Sequence, residues 1–194
     1  MSAVARAEPA HLARPNGWWG MAIFVATEAT LFGTLIGTYF YLRFSNLHWP
    51  PPGTPEPKLT LPLLLTGILV FTSVPMQLAV RAASGGRLSA ARAALALAVV
   101  LQAGYLGMQL HLFVHDVHEF PPSSSSYASC YFTLLGAHDL HVAIGILLNV
   151  FLILRTARGL TTYRLTGIRA TAFYWHFINV LALCVLGTQL SPRA

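Results

Sequence analysis

The chain has 194 residues, of which 55% are hydrophobic and 9% charged, and its mean hydropathy is +0.60. Soluble domains carry about 25% charged residues, so the composition excludes a water-soluble globule and predicts an all-α, polytopic membrane protein. The formal charge of +6 does not indicate nucleic acid, because the basic residues sit in short loops between apolar segments. Cys130 and Cys184 both fall in apolar segments, without the close pairing of a redox or zinc motif, and read as buried thiols.

Residues 1–17 are polar, contain Pro9 and Pro15, and read as an N-terminal tail. Trp18 to Leu42 is the first predicted span, too long for the apolar core of a signal peptide. Its one ionisable group is Glu28. At about 1.5 Å per residue the carboxyl lies roughly 15 Å from Trp18, or roughly 21 Å from Arg14, near the middle of a hydrocarbon layer. A carboxyl there must face protein, so the first helix has partners. Gly33 and Gly37 form a small-xxx-small pair suited to close helix approach. Residues 43–58 hold a run of prolines that no helix continues through, and Trp49 is expected to anchor this loop at a membrane interface.

The second span is expected over 59–82, with Pro62 in its first turn and a kink at Pro75. The third is expected over 90–114, with Gln102, Gln109 and His111 as polar positions. A loop containing His115, Asp116, His118 and Glu119 follows, without Lys or Arg. The fourth span is expected over 127–154 and the fifth over 170–190, leaving 191–194 as a C-terminal tail. Five spans place the termini on opposite sides. One side collects Arg6, Arg14, Arg81, Arg87, Arg92, Arg155, Arg158, Arg164 and Arg169, the other Arg43, Lys58 and Arg193. That asymmetry predicts a cytoplasmic N-terminus and an external C-terminus.

The fourth span carries His138, Asp139 and His141, and the fifth His176 and Asn179. His138 and His141 are three apart and share a face, while Asp139 points away from it. Lipid offers no hydrogen bonds, so these groups must be satisfied within protein. Three uses of them compete. Haem or metal ligation, as in a membrane cytochrome b, is opposed by depth: His141 lies roughly 21 Å from the Arg155 boundary and His176 roughly 10 Å from that at Arg169. A proton or substrate path through Glu28, His138, Asp139 and His141 lacks a broken helix or a gating loop. A polar seam that fixes helix packing and meets a lipid headgroup or a partner subunit is the third use. Because Glu28 and His141 have overlapping depths, a Glu28–histidine contact between the first and fourth spans is expected.

Three motifs carry a family resemblance. The first span has Trp19-Gly20-Met21 followed by Thr27-Glu28-Ala29-Thr30-Leu31-Phe32. The fourth has Tyr131-Phe132-Thr133-Leu134-Leu135-Gly136-Ala137-His138-Asp139-Leu140-His141-Val142-Ala143-Ile144-Gly145. The fifth has Tyr174-Trp175-His176-Phe177-Ile178-Asn179-Val180. In order and placement these resemble subunit III of the haem-copper terminal oxidases in its short, five-helix form. Asp139 stands where that family usually has glycine and Asn179 where it usually has aspartate. Gln109-Leu110-His111-Leu112 replaces a stretch that often carries glutamates.

The resemblance implies a multi-pass protein of the bacterial cytoplasmic membrane that has no catalytic residues and binds neither haem nor copper itself. Those cofactors belong to partner subunits. The chain would pack on the catalytic subunit I, contact other oxidase subunits, bind phospholipid, and support oxygen access and proton uptake. Glu28, His138, Asp139, His141, His176 and Asn179 would serve as seam, lipid or partner contacts, and Arg81 and Arg155 as contacts for lipid phosphate. An accessory subunit of nitric oxide reductase, from the same family, and a haem-binding membrane cytochrome remain the alternatives.

Overall fold

A computed structural model of the protein describes residues 15–52, 54, 60–157, 159 and 161–191. The expected tail before Pro15, the middle of the proline-rich loop and residues 192–194 lie outside the described residues. Six helices form five membrane-length spans: α1 (Asn16–Ser45), α2 (Thr60–Phe71) continued by α3 (Ser73–Ser84), α4 (Leu88–Glu119), α5 (Ser126–Thr156) and α6 (Thr162–Leu190). No strand occurs among the described residues.

The second span is broken where Pro75 dictates. Proline has no N–H to give the carbonyl four residues back, and its ring crowds that carbonyl. The break falls at Thr72, between α2 and α3, where the Thr72 N–H is shared between the carbonyls of Ile68 and Leu69. Two other spans run beyond the sequence-based expectation. Helix α4 continues through His115, Asp116 and His118 to Glu119, so that stretch is a helix end and not a loop. Helix α6 begins at Thr162, about two turns earlier than its apolar run. Its start is capped by the Thr161 hydroxyl, which accepts from Arg164 N at 3.3 Å. Hydropathy marks where a helix is apolar, while caps and prolines mark where it stops, so the two boundaries differ.

Helix α6 is the hub. It packs against α1, α2, α3 and α5, and α4 closes the bundle against α2, α3 and α5. Helices α5 and α6 approach closely at Gly145. A Cβ at Gly145 would stand 2.6 Å from Trp175 Cζ3, so only glycine leaves room for the Trp175 ring against α5. Gly33 and Gly37 play no such part, since nothing lies within 4 Å of a Cβ built at either. The expected close approach through that pair is absent within this chain because α1 turns its Val25–Phe32–Tyr39 stripe inward instead.

The two ends of the bundle differ. At the Asn16 end, Trp18 packs on Phe173 at 5.7 Å, Arg92 bonds the Thr156 carbonyl and Arg169 bonds Ser84 at 3.1 Å. At the Leu190 end, Tyr39 OH donates to Thr188 O at 2.8 Å and meets Ser191 Oγ at 2.9 Å. Trp49 turns inward here. Its ring lies 5.6 Å from Tyr39 and 5.4 Å from Tyr127, so it packs on the Leu190 end of the bundle.

Candidate functional site: a buried polar seam

The polar residues expected inside the membrane divide among three places. The first is the α1–α5 contact. His141 Nε2 lies 2.7 Å from Glu28 Oε2, and His141 Nδ1 lies 2.6 Å from the Ala137 carbonyl one turn back. A Glu28–histidine contact between the first and fourth spans is therefore present, and His141 is the histidine. The carbonyl can only accept, so Nδ1 carries a proton. Nε2 then faces Glu28 either as a base receiving the carboxylic proton or as a donor to a carboxylate. Both descriptions hold one proton between the two groups and leave the pair neutral, which is the cheapest state for an acid in an apolar bundle. Phe32 closes the contact edge-on, 5.2 Å from the imidazole. Tyr174 OH from α6 reaches the His141 carbonyl at 3.2 Å.

The second place is the broken span. Trp175 Nε1 donates to Thr72 Oγ1 at 2.8 Å, and Asn179 Nδ2 donates to Ser73 Oγ at 2.6 Å. His176 Nδ1 stands 3.3 Å from the same serine hydroxyl. The aromatic–imidazole motif of α6 is thus the clamp on the break that Pro75 makes. His176 and Asn179 meet as their spacing predicts, through Ser73. Sequence reasoning missed Thr72 and Ser73. The available signal was a Thr-Ser pair two and three residues before a mid-span proline, where side-chain hydroxyls sit beside disrupted backbone bonds.

The third place is the interior between α2, α4, α5 and α6. His138 and His141 share a face by spacing, yet they go to different neighbours: His141 to α1, His138 inward. His138 Nδ1 lies 3.7 Å from Asp139 Oδ1, too far for a hydrogen bond. Neither Asp139 oxygen, nor His138 Nε2, has a hydrogen-bond partner among the described residues. Nearby, Asn149 Nδ2 donates to Gln102 Oε1 at 3.0 Å and ties α4 to α5. Asn149 escaped notice in the sequence because a lone amide late in a long apolar run has no motif around it.

The arginines expected at lipid phosphate are both exposed near the Asn16 end, on α3 and α5. Arg155 lies over the rings of Phe151 and Tyr163, at 5.4 and 5.2 Å.

The family described as "Cytochrome c oxidase subunit III" matches residues 12–188. This chain belongs to that family. It is 33% identical to "Cytochrome c oxidase subunit 3" of Bacillus subtilis over 86% of this chain and 81% of the relative. It is also 33% identical to "Cytochrome bo(3) ubiquinol oxidase subunit 3" of Pseudomonas aeruginosa, over 91% of this chain and 85% of that one. A "Quinol oxidase subunit 3" of Bacillus subtilis is 34% identical over 85% and 80%. The chain is an accessory subunit of a haem-copper oxidase, and other oxidase subunits are its partners.

Proposed function

We propose that this subunit holds no redox centre and carries no catalytic residue. It packs on the catalytic subunit I of a respiratory oxygen reductase in the bacterial cytoplasmic membrane, with its N-terminus in the cytoplasm. The observation that supports this reading most is the Glu28–His141 contact. Both imidazole nitrogens are already engaged, one by a carbonyl and one by the acid, so the most motif-rich histidine of the chain is committed to holding α1 on α5. His176 is committed in the same way to the break in the second span.

Helix α1 supplies the partner surface. It is apolar, buried on one stripe only, and open along its Gly33–Gly37 edge, where a neighbouring helix can approach closely. Arg81 and Arg155, exposed at the basic end, bind lipid phosphate by charge. The basic residues at that end support the cytoplasmic assignment. By stabilising subunit I and the lipid around it, the subunit sustains oxygen access and proton uptake during turnover.

The test is purification of the tagged chain from membranes. A haem-containing partner subunit should co-purify, and the complex should consume O₂. The separated chain should show no Soret band at stoichiometric intensity. A stoichiometric Soret band on the separated chain would overturn the proposal in favour of a membrane cytochrome. NO consumption without O₂ consumption would assign the partner complex to nitric oxide reduction.

A further inference from the structure

We infer that the crevice between α2, α4, α5 and α6 binds water, and that this water hydrates the buried His138–Asp139 pair from the Leu190 end of the bundle. The crevice is partly open. Pro62, Leu186, Gln189, His138 and Tyr105 are among the residues that line it. Its space for water is about 20 Å³, enough for one molecule, which needs roughly 10–15 Å³ on that measure.

The lining suits that occupant. Thr66, Tyr105, Gln109, His138 and Gln189 bring polar atoms to one small volume, and a buried water needs two to four such partners. An empty cavity that stays dry is instead lined by apolar side chains. All five of these side chains are buried.

The deciding observation is His138. Its side chain is 2% exposed, it lines the crevice, and Nε2 has no hydrogen-bond partner among the described residues. A buried imidazole nitrogen without a partner is costly, and water is the partner this site has room for. The contrast with His141, less than one turn further along α5, is sharp. That ring is satisfied at both nitrogens by protein alone.

Asp139 gives the water its consequence. His138 lines the crevice, and its Nδ1 lies 3.7 Å from Asp139 Oδ1. Tyr105 of α4 and Tyr131 of α5 are within electrostatic reach of that carboxyl. A crevice residue is thus the neighbour of an acid whose two oxygens have no hydrogen-bond partner among the described residues. This arrangement is independent of the Glu28–His141 contact and of the subunit's partners.

Radiolytic hydroxyl-radical footprinting tests the inference, with the full-length chain in lipid nanodiscs together with the subunits that co-purify. Radicals formed from bound water label the side chains that touch it. Tyr105 and His138 should be modified about tenfold faster than Tyr174 and Trp175, which are buried and do not line this crevice. Ala182→Leu should fill the crevice and bring Tyr105 and His138 down to the rate of Trp175. If that variant fails to assemble, Gln189→Leu in the crevice lining serves the same purpose. Wild-type rates for Tyr105 and His138 equal to that of Trp175 would overturn the inference. So would fast labelling that persists in a folded, crevice-filled variant.

Discussion

Helices α1 and α6 have nearly the same length, 30 and 29 residues. Yet 61% of the apolar stretch of α6 is buried within the chain, against 11% for α1. Both are apolar on all sides, so composition does not separate them. What differs is the means of attachment. Helix α6 is gripped by four neighbours and by a glycine-sized notch on α5. Helix α1 is held by one stripe, Val25, Phe32 and Tyr39, and by polar contacts at Glu28 and Tyr39. Lipid removes the hydrophobic drive between helices, so close packing and hydrogen bonds decide which helix belongs to the bundle. The outer flank of α1 even satisfies its own hydroxyls: Thr27, Thr30, Thr34 and Thr38 each donate to a carbonyl about one turn back. That flank asks nothing of this chain.

The comparison breaks most severely at the hub. Trp175→Ala empties a fully buried site and frees Thr72 of its donor, at an expected cost of about 3–5 kcal/mol. Thermal unfolding of the purified chain in detergent would show it, and a loss below that of a surface variant would mean α6 is not the hub. The notch comes next. Gly145→Ala drives a methyl to within 2.6 Å of the Trp175 ring, and overpacking of this kind costs about 1–3 kcal/mol. Because Trp175 is tied to Thr72 at one edge, it cannot slide away freely. The same unfolding assay reads the loss, and pairing Gly145→Ala with Trp175→Phe should recover part of it.

These two positions show what was legible in the sequence and what was not. The five spans could be read from hydropathy, and the break near Pro75 from the chemistry of proline. Depth counting placed Glu28 and His141 at one level, and the structure joins them at 2.7 Å. Counting along a helix gives height, however, and not azimuth relative to neighbours. For that reason His138 and His141 read as one site but face different helices. The Gly33–Gly37 pair likewise looked like the contact glycines, while Gly145 is the one, among the described glycines, where a Cβ would come within 3.0 Å of a ring. Which face of a helix turns inward depends on all its neighbours together, and a single sequence read span by span does not contain that arrangement.

The attachment of α1 can be sharpened with a double-mutant cycle. Glu28→Ala and His141→Ala each remove one side of the same contact, so the double variant should cost less than the sum of the singles. The coupling expected for a polar contact between membrane helices is about 0.6–2 kcal/mol. It is read from unfolding of the purified chain and, in the complex, from faster loss of activity with haem content unchanged. Additive losses would mean that the 2.7 Å contact does not hold α1. Loss of haem in Glu28→Ala would give the acid a part in the cofactor site.

The smallest effect on this chain belongs to the open edge of α1, and it separates the two helices most clearly. Nothing lies within 4 Å of a Cβ at Gly33 or Gly37. Leucine at both positions should therefore move the stability of the isolated chain by less than about 0.5 kcal/mol, as for an ordinary surface change. The side chains would still fill the space that a partner helix needs in order to approach closely. Co-purification of the haem-containing subunit should then fall while the separated chain melts as before. Leucines that destabilise the separated chain would mean this edge is packed within the subunit. Leucines that change neither readout would place the partner on another face, leaving α1 bordered by lipid on the side opposite its Val25–Phe32–Tyr39 stripe.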